Sequence, residues 1–135
     1  MVAAAPAFRE APLPDACPPP DAAQPTSRLL VRLVRTDPPT AEDFRSCHLE
    51  GKTPSRKDHD PCAWQGCSFF AEETPREKID GIAKYKNHAD KKFLAFIRID
   101  EQSGVIKIGP DGHHTTVWLY AAFVPENSAE KVVQL

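Results

Sequence analysis

Six consecutive residues, His113 to Trp118, combine two imidazoles, two hydroxyls and an indole where a strand pattern begins. Imidazole changes charge near neutral pH, so His114 can carry a proton or hydrogen-bond a ribose hydroxyl. The adjacent His113 adds a contact for a nucleotide or another anion. Trp118 is either a core residue or a wall of a ligand site. The run predicts a site without identifying its reaction, and the alternative is a pair of surface histidines that follow the glycine turn at Gly112.

Arg35 follows the first predicted strand, where a guanidinium can direct two donors at a phosphate or carboxylate. The alternative is a structural ion pair with Asp37 or Asp43, which are close in sequence. The chain contains no GxxxxGK(S/T), GxGxxG, HExxH or GxSxG motif. The sequence therefore does not support P-loop hydrolysis, Rossmann cofactor chemistry, zincin proteolysis or α/β-hydrolase activity.

The four cysteines raise the questions of disulfides and of zinc; they are Cys17, Cys47, Cys62 and Cys67. Their spacing follows no regular framework and residues 1–6 do not resemble a secretory signal, so we expect four free thiols in a cytoplasmic protein. Zinc is the alternative for a group that falls within 21 residues, namely Cys47, His48, His59, Cys62 and Cys67. Structural zinc ligands are usually paired two to four residues apart, so this spacing does not favour zinc. Cys67 is expected to be a core residue on a strand.

Residues 1–27 hold seven of the 14 prolines and few large apolar side chains. Proline removes a backbone donor and restricts its neighbour to extended geometry, so we expect neither a helix nor a central strand. The composition predicts a disordered proline/alanine-rich tail that is dispensable for folding. A proline-rich ligand around Pro18 to Pro20 is the alternative.

Charge gives little information about partners. The tail carries one basic residue, Arg9, and three acidic ones, Glu10, Asp15 and Asp21, so its net charge is −2. The whole chain also has a net charge of −2, so residues 28–135 are neutral. Residues 76–92 hold six basic side chains against three acidic ones, which indicates a solvated helix face or, alternatively, a phosphate-contacting patch. No apolar run approaches the roughly 20 residues needed to cross a bilayer. We expect a soluble protein without membrane contact, and the charge does not favour nucleic acid as a partner.

Hydrophobic periodicity and turn residues predict five strands, at 29–34, 63–71, 93–99, 105–108 and 115–123. Two short helices are predicted, one capped by Thr40 and one opened by the sequence Thr74-Pro75-Arg76-Glu77. Residues 51–61 are expected to form a loop. The strand at 93–99 is apolar on both faces, which is typical of a central, covered strand. The sequence predicts a single α+β domain over residues 28–135, with a mixed or largely antiparallel sheet and two short helices.

Four runs together resemble small uncharacterised bacterial and phage-borne proteins with an arrangement similar to ADP-ribosyltransferase-like domains. They cover most of residues 30–124 and comprise Val34 to Thr40 with Phe44, Trp64 to Phe70, Phe93 to Ile97, and His114 to Trp118. The resemblance implies that Arg35 meets phosphate or ribose, that Ser68 and Phe70 line a nicotinamide pocket, and that His114 faces the same cleft. Such enzymes commonly use a glutamate on a late strand, and residues 113–123 contain none.

These observations lead to two functional hypotheses. The first is a toxin-like or effector domain that binds NAD or a related nucleotide, with Ser68 and His114 as catalytic residues and a cofactor-binding group of Arg35, Phe70, His113 and Trp118. Arg35, Ser68 and His114 are expected to converge on one pocket, since polar groups in an apolar concavity are the usual form of a small-ligand site. The second is a non-catalytic binding or accessory protein that contacts a macromolecule, such as a protein partner, through its proline-rich segment and basic helix.

Overall fold

A computed structural model describes residues 6–53, 60–85 and 88–135. Its centre is one six-stranded sheet with the order β4-β5-β2-β1-β3-β6, in which all neighbouring strands are antiparallel. The strands are β1 (Arg28–Val34), β2 (Cys67–Ala71), β3 (Phe93–Ile99), β4 (Gly104–Ile108), β5 (His114–Leu119) and β6 (Ala129–Gln134). The helices are α1 (Pro61–Trp64) and α2 (Arg76–Ala83), with 3-10 turns at Ala41–Phe44 and Pro125–Ser128. The predicted α+β class with a largely antiparallel sheet is confirmed.

Both faces of the sheet are covered, as the apolar pattern of β3 predicts. On one face Phe44 packs among alternate strand residues that include Leu30, Phe69 and Ile97. On the other face α2 lays Ile79, Ile82 and Ala83 against a second set, which comprises Val31, Leu33, Phe70 and Leu94. β1 and β3 pair along seven residues, from Arg28↔Ile99 to Val34↔Phe93. We refer to the second side as the α2 face, and it carries the candidate site.

The predicted cap at Thr40 is confirmed, whereas α2 and β2 begin at residues other than those expected. Thr74 does not cap α2, because its hydroxyl donates to the carbonyl of Ala71 at 2.7 Å, and Pro75 precedes the first helical residue. The segment after Thr40 is a single 3-10 turn in which the Thr40 N–H donates to the Asp43 carboxylate at 2.9 Å. The strand predicted at 63–71 begins only at Cys67, because Ala63 and Trp64 end α1.

β6 is a sixth strand that periodicity did not predict. Its sequence places Glu130 and Lys131 side by side, which breaks the alternation typical of a half-buried strand. It lies at the edge of the sheet and pairs with β3, with an irregularity in register at Phe96/Ile97. An edge strand needs little apolar content because only one side pairs and much of it remains exposed.

The disordered tail expected over residues 1–27 is not what the structure shows for residues 6–27. Phe8 forms an isolated β-bridge with Tyr120, and the two rings lie 5.4 Å apart. Farther along the segment, Ala23 exchanges backbone hydrogen bonds with Ile106 of β4, at 2.9 and 2.8 Å. The extended geometry that proline imposes is therefore compatible with docking on the ends and edge of the sheet. Residues 1–5 lie outside the part of the chain that the structure describes.

A disulfide joins Cys17 of this segment to Cys62 of α1. The expectation of four free thiols is therefore wrong for this pair, whereas Cys47 and Cys67 are free. Sequence spacing could not reveal the pairing, because 45 residues separate the two cysteines and only the docked segment brings them together. The cytoplasmic location was expected because the thiols were expected to be reduced. It stays a prediction, and the disulfide removes that argument for it. No helix in the described ranges is long and apolar enough to span a bilayer.

Candidate functional site

Ser68 and His114 meet on the α2 face, on the adjacent strands β2 and β5. The register pairs Ser68 with Thr116 and Phe70 with His114, so the two polar residues are diagonal neighbours on one face. The Ser68 Oγ and His114 Nε2 atoms lie 2.6 Å apart, within hydrogen-bonding distance. The Phe70 ring lies edge-on to the imidazole at 5.7 Å. The structure therefore brings together the two residues predicted to be catalytic, although they are 46 positions apart in sequence.

The turn before β5 fixes the position of His114. The Asp111 Oδ1 atom accepts the backbone N–H groups of His113 and His114, at 2.9 and 3.1 Å. The other Asp111 oxygen accepts the ammonium of Lys78 on α2 at 2.5 Å, and this hydrogen bond keeps the pKa of Asp111 well below its usual range. Burial lowers the pKa of His114, so the imidazole is neutral at pH 7. A neutral imidazole carries one proton, and its tautomer decides whether Nε2 accepts from or donates to the Ser68 hydroxyl.

A cavity of about 60 Å³ opens beside Ser68. It combines apolar walls with four polar or charged side chains, and its lining consists of Arg32, Leu33, Ser68, Phe70, Ile82, His88 and Lys91. At 10–15 Å³ for each water, the cavity has room for roughly four water molecules. It is therefore smaller than a typical small-molecule pocket, which starts at about 300 Å³. The cavity can take the hydroxyl-bearing edge of a larger ligand.

Arg32 lines the cavity, and most of its hydrogen-bonding capacity is used by the fold. Its guanidinium donates to three backbone carbonyls, those of Asp43 at 2.6 Å, Ser68 at 2.5 Å and Arg45 at 3.0 Å. It also lies over the rings of Phe44 and Phe69. These bonds tie β1 to β2 and to the 3-10 turn, and they use three of the five guanidinium N–H donors.

Lys91 is the functional candidate that sequence reasoning missed. Its side chain is only 6% exposed, and its Nζ atom lies 3.4 Å from His88 Nδ1. Among the residues that the structure describes, no carboxylate oxygen lies within 4.0 Å of its amine. Burial, followed by the charges of Arg32 and Lys52, lowers the pKa of Lys91 to about 8. Burial and the charge of Lys91 lower the pKa of His88 to about 4.

Little in the amino-acid sequence indicated that Lys91 is buried. Lys91 stands in a run with six basic residues that indicated a solvated face. Its position two residues before Phe93, the first residue of the central strand β3, was the available signal. A lysine so close to a covered strand can be drawn under the neighbouring elements.

Arg35 does not join the Ser68–His114 pair. Its guanidinium donates to three carboxylates, those of Asp90 at 2.6 Å, Glu50 at 2.9 Å and Asp43 at 3.4 Å. The structural alternative of an ion pair with Asp43 is therefore confirmed, and the predicted convergence of Arg35 on the pocket is wrong. Tertiary contacts supply the other two partners, and neither was a candidate from sequence proximity.

The remaining predicted ligand residues are divided between the site and the core. Phe70 lines the cavity. Trp118 is 3% exposed, donates its indole N–H to the carbonyl of Cys62 at 3.0 Å, and lies beneath the N-terminal segment. The His113 Nδ1 atom is buried without a hydrogen-bond partner in the described part of the protein. His113 lies just before β5, and its carbonyl accepts the N–H of Ala71 at 2.7 Å.

The zinc alternative gains no support from the positions of its candidate ligands. Cys62 is committed to the disulfide and Cys67 is buried, while His59 lies outside the described residues. Within the described ranges, no group of three or more His, Cys, Asp and Glu residues could hold a metal ion. What the arrangement offers is a serine hydroxyl and a neutral imidazole beside a buried amine. Comparison of the chain with family models, with curated proteins and with solved structures gives no match.

Proposed function

We propose that this protein binds a phosphate-bearing sugar ligand, such as NAD or a related nucleotide, on the α2 face. The observation that carries the proposal is the 2.6 Å hydrogen bond between Ser68 Oγ and His114 Nε2 at the wall of the small cavity. When Nε2 carries the proton, His114 donates to Ser68 and leaves the Ser68 hydroxyl hydrogen available to a ligand. This geometry suits the hydroxyl groups of a ribose.

A wider groove next to the cavity provides a place for the phosphates. Lys91 lines both spaces, and the groove has a volume of about 530 Å³, within the range of small-molecule sites. Its basic side chains are Arg76, Lys84, Lys91 and Lys92, and the one acidic side chain in its lining is Asp80. Asp80 is already paired with Arg76 at 2.9 Å, so the lysines give the groove a positive potential that attracts phosphate.

The proposal is for binding and does not include ADP-ribosyl transfer. The glutamate that such enzymes use on a late strand has no counterpart on β5. Glu130 lies on β6 at the far edge of the sheet, where both carboxylate oxygens accept from Arg98, at 2.8 and 3.0 Å. Arg35, which the resemblance assigned to phosphate or ribose, is held by its three carboxylates.

Titration calorimetry with NAD and ADP-ribose tests the proposal. Ser68→Ala should weaken binding about 2- to 12-fold, the range expected for one net hydrogen bond of roughly 0.5–1.5 kcal/mol. The double substitution Lys84→Met with Lys92→Met should weaken it at least about tenfold, because charge-assisted contacts are stronger.

Two exposed residues away from the site provide matched controls. Ser27 precedes β1, and Lys107 lies on β4 with an exposed side chain. The control variants are Ser27→Ala and Lys107→Met. Both should leave the affinity unchanged. If neither nucleotide binds, or if all four variants bind like the unaltered protein, the proposal is wrong. A binding or accessory role with a macromolecular partner would then be the better hypothesis.

A further inference from the structure

Lys91 occupies a position that suggests covalent chemistry. Lys91 belongs to the lining of both the small cavity beside Ser68 and the wider groove. The side chain is nearly buried, and its neighbour on the cavity wall is the His88 imidazole rather than a carboxylate. Lysine amines that are desolvated or crowded by other cations lose their proton easily and become nucleophiles.

The charged groups around Lys91 come from several elements and are mostly positive. β1 contributes Arg32 and, at its end, Arg35; the loop after the first 3-10 turn contributes Lys52 and the opposing Glu50. Burial is the largest influence, and together with these groups it lowers the pKa of Lys91 from 10.5 to about 8. At pH 8 about half of the Lys91 side chains are therefore free amines, against well below 1% for an ordinary lysine near 10.4.

We propose that Lys91 forms an imine with the open-chain aldehyde of a phosphate-bearing reducing sugar, of which ADP-ribose is an example. The amine nitrogen attacks the aldehyde carbon, and the resulting carbinolamine loses water. A C=N bond replaces the C=O bond; the carbonyl oxygen leaves as water with the two hydrogens of the amine, so no oxidant or reductant is consumed.

The inference rests on the proposed binding function, because Ser68 holds the sugar and the groove lysines hold the phosphates that bring the aldehyde to Lys91. NAD provides a control within the same ligand class. Its corresponding ribose carbon is tied to nicotinamide in a glycosidic bond, so it has no free aldehyde and should bind without forming an adduct.

The test is reductive trapping on the full chain. The protein is incubated with ADP-ribose or NAD and with sodium cyanoborohydride, followed by intact-mass measurement and peptide mapping. ADP-ribose should give one dominant adduct at Lys91, at least about tenfold above each other lysine, with a yield that rises from pH 7 to pH 9. NAD should give none. Lys91→Arg should abolish the dominant adduct, whereas Lys107→Arg should leave it intact.

Other outcomes separate the imine from the binding function. An adduct spread evenly over the lysines, or an unchanged yield in Lys91→Arg, overturns the imine. Noncovalent binding that depends on Ser68 but gives no adduct also overturns the imine and leaves the proposed function standing. If calorimetry detects no binding, both proposals fail. Circular dichroism shows whether Lys91→Arg is folded; if it is not, the ADP-ribose map of the unaltered protein decides the question.

Discussion

At the scale of single residues, the basic side chains differ in how far the fold engages them. Arg32 and Arg35 are engaged by carbonyls and carboxylates, while Lys91 has an imidazole beside it. His88 and Lys91 both have lowered pKa values, to about 4 and about 8, because burial disfavours their charged forms. The local network therefore keeps His88 neutral and holds Lys91 close to its titration point at physiological pH.

These shifts predict how stability depends on pH. The unfolded chain protonates His88 near 6.5, but the folded protein does so only near 4, so between these values the unfolded state binds more protons. The free energy of unfolding should therefore fall as the pH decreases from about 6.5 to about 4. For Lys91 the same sign applies between about 8 and 10.5, where stability should rise with pH.

Urea denaturation across these ranges measures both effects. His88→Gln should flatten the acidic part of the profile and Lys91→Met the alkaline part, relative to the unaltered protein. Parallel profiles for protein and variant would show that the side chain does not titrate between folded and unfolded states as argued.

At the scale of elements, Asp43 joins the end of β1 to the 3-10 turn at Ala41–Phe44. Its side chain is 1% exposed, and it accepts the backbone N–H groups of Arg35 and Thr40, each at 2.9 Å. The Arg35 guanidinium completes its set of donors at 3.4 Å. This arrangement satisfies a buried carboxylate with two backbone donors and one cation, and it holds Phe44 over the core.

Asp43→Ala should lower the free energy of unfolding by about 3–5 kcal/mol, since it removes one partner of a buried, hydrogen-bonded pair and orphans two backbone donors. Glu50→Ala is the matched control. It removes another carboxylate from Arg35, but this side chain is more exposed, so the loss should stay near 1 kcal/mol. Chemical denaturation of the two variants tests the difference, and equal losses would contradict the assigned role of Asp43.

At the scale of the whole molecule, the N-terminal segment closes the fold. Between residues 6 and 27 it contacts the end of β5 through Phe8, α1 through Cys17 and the β4 edge through Ala23. Glu10 also accepts the Ser46 backbone N–H at 2.8 Å. The segment covers Trp118 and pairs with one free edge of the sheet, which protects that edge from other strands.

Cys17→Ser should therefore destabilise the protein by about 2–4 kcal/mol, because the disulfide closes a long loop and limits the unfolded ensemble. Cys47→Ser is the control, since Cys47 is free. Thermal unfolding with and without a reductant provides the measurement. The reductant should lower the midpoint of the unaltered protein and of Cys47→Ser, and leave that of Cys17→Ser unchanged. A reductant-insensitive midpoint in all three proteins would contradict the proposed stabilisation by the disulfide.

The sequence by itself determined the elements whose signals are local. Alternation of apolar residues predicted β1 and β3 to within a residue, and the two apolar faces of β3 predicted an interior strand that is covered on both sides. Turn residues located β4, and the imidazoles before a strand pattern indicated His114 as a candidate site residue. Each of these signals comes from backbone preferences and burial within a few neighbouring residues.

Tertiary structure decided the features that depend on distant partners. The Cys17–Cys62 bond requires docking of a proline-rich segment whose composition favours solvent exposure. The partners of Arg35 and the burial of Lys91 depend on loops brought together around the end of β1, and β6 becomes a strand because β3 offers it an edge. Local apolar periodicity cannot predict such contacts, because they form only when segments far apart in sequence pack against each other.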